Sequence, residues 1–441
     1  MIASVITLGC KVNEYESQSI LAQLKENGYE IKEGLTYADV YVINTCAVTN
    51  IAERKSRQVF SKIEKINPNA KIVAVGCAVQ NNPASFLKPN TLAIVGNFGK
   101  HDIMKFINSQ NKTLPPLENK VYEPFSRPIE TRSRQYIKIQ DGCDYFCTYC
   151  LIPYVRGRSR SRDLNDIIDE IKNTNANEVV LTGINMSDYK IDGKPALIEL
   201  IKAVDKLNVR FRLSSIECNV LTDKMIDVLK NSKNFCPHFH LSLQSACNAT
   251  LKRMNRRYTI EEFKEIVKKI KENFVLPCIS TDIIVGFKGE TDEEFNDTLK
   301  NLKEIEFSFM HIFPYSERSG TVASKMSDAV DKCVVKAREK QLQELNREFK
   351  SKFFAKNMNT VHKVLIEEIK DSMSLGYTEN YIYTYIEKPL NVGDIVDIKL
   401  KSTYNQGMKG ELLWWKIAYF VRLEKVSWLA ANYMKTMILW L

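Results

Sequence analysis

Along the first 112 residues, short runs of β-branched and aliphatic residues alternate with stretches whose apolar positions recur at helical spacing. The strand-like runs are 4–8, 40–44, 72–76 and 92–95, and residues 14–26 and 52–66 carry the helical period. Strand and helix in alternation predict an α/β domain on a largely parallel sheet. Residues 111–134, with Pro115, Pro116, Pro124 and Pro128, predict a linker. Six more strand-like runs follow at 136–140, 178–181, 211–214, 238–243, 280–285 and 307–313, separated by helix-period segments. Six such units predict a partial, TIM-like (β/α)6 barrel, whose ligands should sit at the C-terminal ends of the strands. Beyond a long helix with Leu342, Leu345, Phe349 and Phe353 on one face, the runs 364–367, 377–386 and 395–400 predict a small antiparallel β-barrel of the type that binds oligonucleotides. The predicted division is therefore 1–112, a linker at 113–134, 135–356 with its trailing helix, 357–413, and a tail at 414–441.

That tail holds all four tryptophans, Trp414, Trp415, Trp428 and Trp440. Lys416, Arg422, Glu424, Lys425 and Lys435 interrupt it too often for an ordinary bilayer span. It reads as a run-on past the last domain, with an interfacial amphipathic anchor as the alternative.

Composition adds bounds. A chain of 441 residues exceeds the size at which one hydrophobic core keeps growing, in keeping with several domains. With 44% hydrophobic and 26% charged residues, it has an ordinary soluble composition. The balance of 63 Lys+Arg against 53 Asp+Glu leaves +10, which permits a polyanionic partner without demanding one. The first residues lack the basic segment of a signal peptide and read as a strand. Eleven cysteines in a chain without an export signal point to a cytoplasmic protein and to metal ligation or buried thiols instead of disulfides.

The strongest chemical signal is Asp141-Gly142-Cys143-Asp144-Tyr145-Phe146-Cys147-Thr148-Tyr149-Cys150, just after the first barrel strand. Three thiolates in eight residues can wrap three irons of a cubane cluster. No fourth Cys or His lies nearby, which argues against structural zinc and its closed set of four ligands. A second trio, Cys10, Cys46 and Cys77, is dispersed, each cysteine at the end of a predicted strand. Parallel strands deliver such ends to one sheet edge, where three thiolates could converge, although free cysteines are also often simply buried. Cys218, Cys236, Cys247, Cys278 and Cys333 show no ligand spacing and read as structural. Residues 127–162 hold eight basic side chains, Arg127, Arg132, Arg134, Lys138, Arg156, Arg158, Arg160 and Arg162, against Glu130, Asp141 and Asp144. The excess of five reads as a basic patch for RNA phosphates or as a solvated loop.

The C-x3-C-x2-C spacing with an aromatic residue before the last cysteine resembles the radical S-adenosylmethionine superfamily. Thr7-Leu8-Gly9-Cys10-Lys11-Val12-Asn13-Glu14, the cluster loop running on into Arg156-Gly157-Arg158-Ser159-Arg160-Ser161-Arg162, and the β-rich end together resemble its tRNA methylthiotransferases over residues 1–413. The wording of these motifs is most similar to the branch acting on N6-threonylcarbamoyladenosine. The resemblance implies methylthiolation of C2 of that nucleoside beside the anticodon, with S-adenosylmethionine and two 4Fe–4S clusters as cofactors. It places one cluster on Cys143, Cys147 and Cys150, and an auxiliary one, carrying the sulfur to be transferred, on Cys10, Cys46 and Cys77. It also implies an RNA-binding TRAM barrel at the C-terminus and RNA contacts from Arg156, Arg158, Arg160 and Arg162. S-adenosylmethionine contacts are implied for Tyr149, Gly183, Ser215, Glu217, Gln244, Asp282 and Gly286. Lys288 and Cys218 stand where the family usually has proline. No catalytic acid/base pair is expected, because the clusters carry the chemistry. The partners implied are tRNA, an electron donor and a sulfur source, with no membrane. Alternatives are methylthiolation of isopentenyladenosine in tRNA or of a ribosomal-protein aspartate and, from another class, a noncatalytic zinc-dependent RNA-binding protein.

Overall fold

A computed structural model describes residues 1–117, 121–129 and 133–413; the Trp-rich tail at 414–441 lies outside the described residues. The N-terminal domain contains β1 (Ile2–Thr7), α1 (Lys11–Glu26), β2 (Glu30–Glu33), β3 (Val40–Thr45), α2 (Asn50–Ile66), β4 (Lys71–Gly76), α3 (Cys77–Asn81), β5 (Thr91–Val95) and α4 (Ile103–Ser109). All strands pair in parallel in the order β2-β1-β3-β4-β5. Alternation sorts the sheet's side chains into two cores. Tyr41, Ile43, Ile72, Ala74 and Ile94 pack with Val59, Phe60 and Ile63 of α2. On the other face Val40, Val42, Val73, Val75 and Val95 pack with Ile20 and Leu24 of α1 and Ile103 of α4. Strand order reverses between β1 and β3, and in doubly wound sheets ligands bind at that edge. Cys10 and Cys46 follow those two strands, and Cys77 follows β4.

The central region follows with β6 (Arg134–Asp141), α5 (Ile152–Arg156), β7 (Arg160–Ser161), α6 (Leu164–Lys172), β8 (Glu178–Gly183), the short β9 (Lys190–Ile191) and β10 (Lys194–Pro195), α7 (Leu197–Asp205) and β11 (Arg210–Leu213). It continues with α8 (Asp223–Asn231), β12 (His238–Gln244), α9 (Asn248–Arg253), α10 (Ile260–Asn273), β13 (Cys278–Val285), α11 (Asp292–Ile305) and β14 (Phe309–Pro314). The six major strands run parallel in the order β6-β8-β11 and β12-β13-β14, joined by the bridges Phe211–Phe235 and Ile216–Leu241. All six predicted runs are strands. Outward residues such as Ile137, Leu181, Leu213, Phe239 and Ile283 form one core with the helices. Their alternate neighbours, among them Lys138, Glu178, Arg212, His240 and Asp282, face a polar lumen. The long α12 (Lys332–Asn357) packs on β14 and buries Leu342, Leu345, Phe349 and Phe353, the predicted face.

Five strands then close a barrel, β15 (Val361–Lys370), β16 (Met373–Thr378), β17 (Tyr383–Ile386), β18 (Ile395–Tyr404) and β19 (Gly407–Leu412), in the order β15-β16-β17-β19-β18. Its pairs are antiparallel except β17 with β19. The turn between β16 and β17 docks on the N-terminal ends of the large barrel's strands. Arg212 donates to the carbonyls of Thr378 and Glu379, each at 2.7 Å, and Asn380 donates to Leu276 at 3.0 Å. Tyr381 stacks on His238 with ring centroids 4.0 Å apart. The small barrel therefore closes the lumen at the end away from the cysteines. Among the described residues no helix is long and apolar enough to cross a membrane.

Candidate active site

Cys143, Cys147 and Cys150 lie on the loop that leaves the C-terminal end of β6. Its first turn needs Gly142, at φ +73°, because a Cβ there would lie 2.0 Å from the Arg158 carbonyl oxygen. Cys143 N–H then donates to the Gly157 carbonyl, closing the loop at 3.1 Å. Phe146, between the first two cysteines, is held at φ +50°, a strained conformation of the kind that collects at functional sites. Polar hydrogens are directed at the sulfurs: Tyr145 N–H and the Asn185 amide reach Cys143 Sγ at 3.4 and 3.7 Å, and Arg256 Nη1 reaches Cys147 Sγ at 3.1 Å. Arg256 is itself fixed by the Glu217 carboxylate, the Ser242 carbonyl and the Tyr258 hydroxyl. Burial pushes the Cys143 thiol up to about 11 and that of Cys150 to about 12. A metal must displace those protons to gain the thiolates.

The second trio also comes together. Cys10, Cys46 and Cys77 lie within electrostatic reach of one another at the switch-point edge. Gly9, at φ +115°, lets the chain pass Cys46, whose Sγ would be 3.1 Å from any Cβ there. Asn13 organises the group. Its amide donates to the carbonyls of Leu8 and Thr45, at 2.7 and 3.0 Å, and so pins the ends of β1 and β3. Its oxygen accepts from Arg156 at 2.7 Å and from the Cys10 thiol at 3.8 Å. Cys77 donates to Asn97 at 3.6 Å, and Asn97 in turn donates to the Val155 carbonyl beside Arg156.

Arg156 lies at the centre of a buried charge network between the two trios. Its guanidinium bonds Glu16 Oε1 at 2.9 Å and Asp141 Oδ1 at 3.0 Å; Lys138 bonds the same two carboxylates at 2.8 and 2.7 Å, and Lys100 pairs with Glu16. Burial alone would raise the Glu16 carboxyl, but Arg156, Lys100 and Lys138 hold it well below the usual range. The network takes Glu16 and Lys100 from the first domain and Lys138, Asp141 and Arg156 from the barrel, so it fixes one trio relative to the other.

In neither trio do all three sulfurs approach within 4.8 Å of one another; among the described residues only His240, Asp282 and His311 form such a group. Zinc–sulfur bonds of about 2.3 Å in a tetrahedron require sulfurs about 3.8 Å apart, so this spacing is too wide for one zinc ion. A cubane fits, because each cysteine would bind a different iron.

The residues expected near S-adenosylmethionine divide. Tyr149 packs by Phe287, ring centroids 6.3 Å apart. Gly183 ends β8 against Gln140, and Gln244 ends β12 at φ +71°. Gly286 follows β13 at φ +73°, where a Cβ would meet Val335 at 2.4 Å. Ser215 is exposed on the rim, while Glu217 is engaged by Arg256. Asp282 is not at the rim. It sits three residues before the end of β13, facing the lumen, with Oδ2 3.2 Å from His240 Nε2.

The arginines expected to meet RNA need a larger correction. Arg156 is completely buried, Arg160 is buried with its Nη1 on the carbonyls of Arg156 and Arg158, and Arg162 pairs with Glu170. Arg158 alone of the four is well exposed, paired with Asp144 at 2.6 Å and lying over the Phe146 ring. Arg134 and Lys138 are also ion-paired in the interior, while Arg127 is exposed beside Asp169. Arg132 and Glu130 lie outside the described residues. Besides Asp141 and Asp144, carboxylates from outside this stretch, Glu16, Glu170 and Glu178, neutralise it, so counting charge within 127–162 overstates what faces solvent. Lys288 pairs with Glu317 at 2.9 Å, and Cys218 is buried in the barrel core. Cys333 is exposed and so is not the buried structural thiol expected.

Sequence reasoning missed Arg256, Asn13, Asn97 and Glu16. The only linear hints are a pair of arginines before Tyr258 and the polar residues Asn13 and Glu16 one turn apart at the start of α1.

Three family models match in series: the uncharacterized protein family UPF0004 at residues 3–96, the radical SAM superfamily at 137–302, and the TRAM domain at 356–413. The chain is 38% identical to the threonylcarbamoyladenosine tRNA methylthiotransferase MtaB of Bacillus subtilis, over 91% of this chain and 94% of that one. It is 37% identical to the MtaB of Aquifex aeolicus, over 89% and 98%. The chain belongs to the radical SAM tRNA methylthiotransferase family. Another member of this family, the tRNA-2-methylthio-N(6)-dimethylallyladenosine synthase of Thermoanaerobacter sp. strain X514, is 34% identical over 92% of both chains. Among solved structures, the radical S-adenosylmethionine methyltransferase TsrM of Kitasatospora setae shares the fold, with a TM-score of 0.52 at 14% identity over 71% of this chain and 72% of that one. As a radical SAM methylthiotransferase, the chain is an enzyme that uses S-adenosylmethionine and 4Fe–4S clusters.

Proposed function

We propose that this enzyme replaces the C2 hydrogen of N6-threonylcarbamoyladenosine in tRNA by a methylthio group. The observation that carries the proposal is the pairing of two cysteine trios across one buried network, in a chain 34–38% identical along most of its length to methylthiotransferases named for that nucleoside. Cys143, Cys147 and Cys150 would hold one cluster, with S-adenosylmethionine against Tyr149 and the rim residues Gly183, Ser215, Glu217, Gln244 and Gly286. Cys10, Cys46 and Cys77 would hold the other. When bound, these groups supply the electron and radical chemistry that no side chain offers toward an unactivated C–H bond.

The protein's own part is positioning and polarity. Arg256 and the Asn185 amide direct positive charge and N–H groups at the first trio, which stabilises thiolate ligands. Arg156 brings positive charge within reach of Cys10 and Cys46, while its N–H groups, on Asn13, Glu16 and Asp141, tie the second trio to the first. The small barrel caps the far end of the lumen. Exchanging C–H for C–S also consumes sulfur and reducing equivalents, so an electron donor and a sulfur source are partners alongside tRNA. We assign the enzyme to the cytoplasm, and the domain division to 1–112, 135–356 and 357–413.

A nucleoside digest of tRNA from cells lacking the gene tests the reading. The 2-methylthio-N6-threonylcarbamoyladenosine peak should vanish and its unthiolated precursor accumulate. Loss of the methylthio dimethylallyl nucleoside instead would transfer the enzyme to the sister activity.

A further inference from the structure

Resting on that reading of the substrate as tRNA, we propose that a continuous track of aromatic rings takes unstacked nucleotides of the anticodon loop beside the target adenosine. The track runs from the outer face of the small barrel to the lumen face of β14.

Outward positions on the strands of a soluble barrel are ordinarily polar. On β16 and β17 they hold tyrosine instead. Ile382, Thr384 and Ile386 are buried inside the barrel, whereas Tyr377, Tyr383 and Tyr385 stand outside, half-buried. Ring centroids are 5.1 Å apart from Tyr385 to Tyr383, 5.0 Å from Tyr383 to Tyr377 and 4.6 Å from Tyr377 to Tyr381, the last pair stacked. Tyr381 carries the series across the junction, stacking against Phe309 of β14 at 6.4 Å. From there the series follows the strand through His311, 5.5 Å on, and Phe313, a further 6.5 Å. Alternation puts these three rings on one face of β14. His311 marks it as the lumen face, because its ring lies 5.6 Å from that of His240. Phe313 is 45% exposed, so this end of the track is open. Among the described strands β14 pairs only with β13, which makes it the free edge of the large barrel and a side entrance for a strand of RNA.

A cavity of about 700 Å³ lies over the middle of the track, at the seam of β14, α12 and the small barrel. Rings packed for stability alone would fill such a space, as interiors are filled. These line it, and its size suits a nucleotide. Lys350 of α12 also lines it, with its ammonium 6.0 Å from the centroid of the Phe309 ring, as do the exposed Asn405 and Gln406. Among the described residues no acidic side chain does. A cation for a phosphate, amides for base edges and ring faces for stacking are what single-stranded RNA takes. Every base has a π face, so the track grips the loop whatever its flanking sequence and leaves choice of the target to the lumen.

The test uses reconstituted full-length enzyme and an anticodon stem-loop bearing N6-threonylcarbamoyladenosine. The stem-loop is intact or carries one abasic nucleotide, placed in turn at each other loop position, and binding is read by fluorescence anisotropy. In wild type at least one abasic position should weaken binding about 5- to 100-fold, the value of one base–aromatic stack. Tyr383→Leu should lose a similar factor on the intact stem-loop and be indifferent to that abasic position, with its iron content unchanged. Tyr383→Phe should bind as wild type does. Should Tyr383→Leu fail to fold, Tyr385→Leu carries the same comparison. No abasic effect in wild type, or effects of equal size in the leucine variants, overturns the track while leaving the proposed substrate intact. A wild-type enzyme that converts a dimethylallyl stem-loop and ignores the threonylcarbamoyl one overturns the nucleoside assignment alone, since both nucleosides sit in the same loop.

Discussion

A guanidinium 3.1 Å from the Cys147 sulfur acts on charge and on shape together. Arg256 brings a fixed positive charge to Cys147, and its other arms, on Glu217, Ser242 and Tyr258, tie the cysteine loop to the end of β12. Replacing it by Met should lower iron retention at this trio by about 10- to 100-fold against a competing chelator, as loss of outer-shell partners does elsewhere; Arg256→Lys should lose less. Asn13 has the parallel role at the other trio. Asn13→Ala strands the Leu8 and Thr45 carbonyls and one arm of Arg156, at a cost of about 1–3 kcal/mol per buried group. Denaturant unfolding should show the loss, and iron analysis should show the auxiliary cluster depleted before the other. Legibility at this scale followed contiguity. Cys143, Cys147 and Cys150 declare themselves within eight residues. Asn13 gains its meaning only from partners 32 and 143 positions away, which no local spacing encodes.

Among the elements, the strands of both α/β regions were readable because alternation and apolar runs report burial. β2 was not, since Glu30, Lys32 and Glu33 make it a polar edge strand, nor were the two-residue β7, β9 and β10. The run 377–386 read as one strand but folds as two, since the Thr378–Tyr381 turn is shaped by its dock on Arg212 and Asn357. That dock has an acid-sensitive centre. Burial pushes the Glu178 carboxyl up, but Arg212, Arg134 and Arg210 together hold it far below its ordinary value. A depressed carboxyl contributes stability above the unfolded pKa of about 4.3, and the contribution drains away as pH falls below it. The thermal midpoint should therefore drop steeply from about pH 5 downward. Glu178→Gln should be destabilised at neutral pH by about 3–5 kcal/mol, the cost of stranding buried cations, and should show a shallower acid slope.

For the molecule as a whole, the basic excess near Cys143, Cys147 and Cys150 is mostly internal mortar. Arg158 is exposed and Arg160 is buried against backbone carbonyls, so the two should behave differently toward tRNA. Arg158→Ala should reduce the slope of log affinity against log salt by about one phosphate contact, whereas Arg160→Ala should lower stability and leave that slope alone. The turn that stacks Tyr381 on His238 has a larger consequence. It makes the TRAM barrel the stopper of the lumen. Cutting the chain before Val361 should therefore uncork it: besides gripping tRNA poorly, the shortened enzyme should leak, consuming S-adenosylmethionine without delivering sulfur even when RNA is saturating.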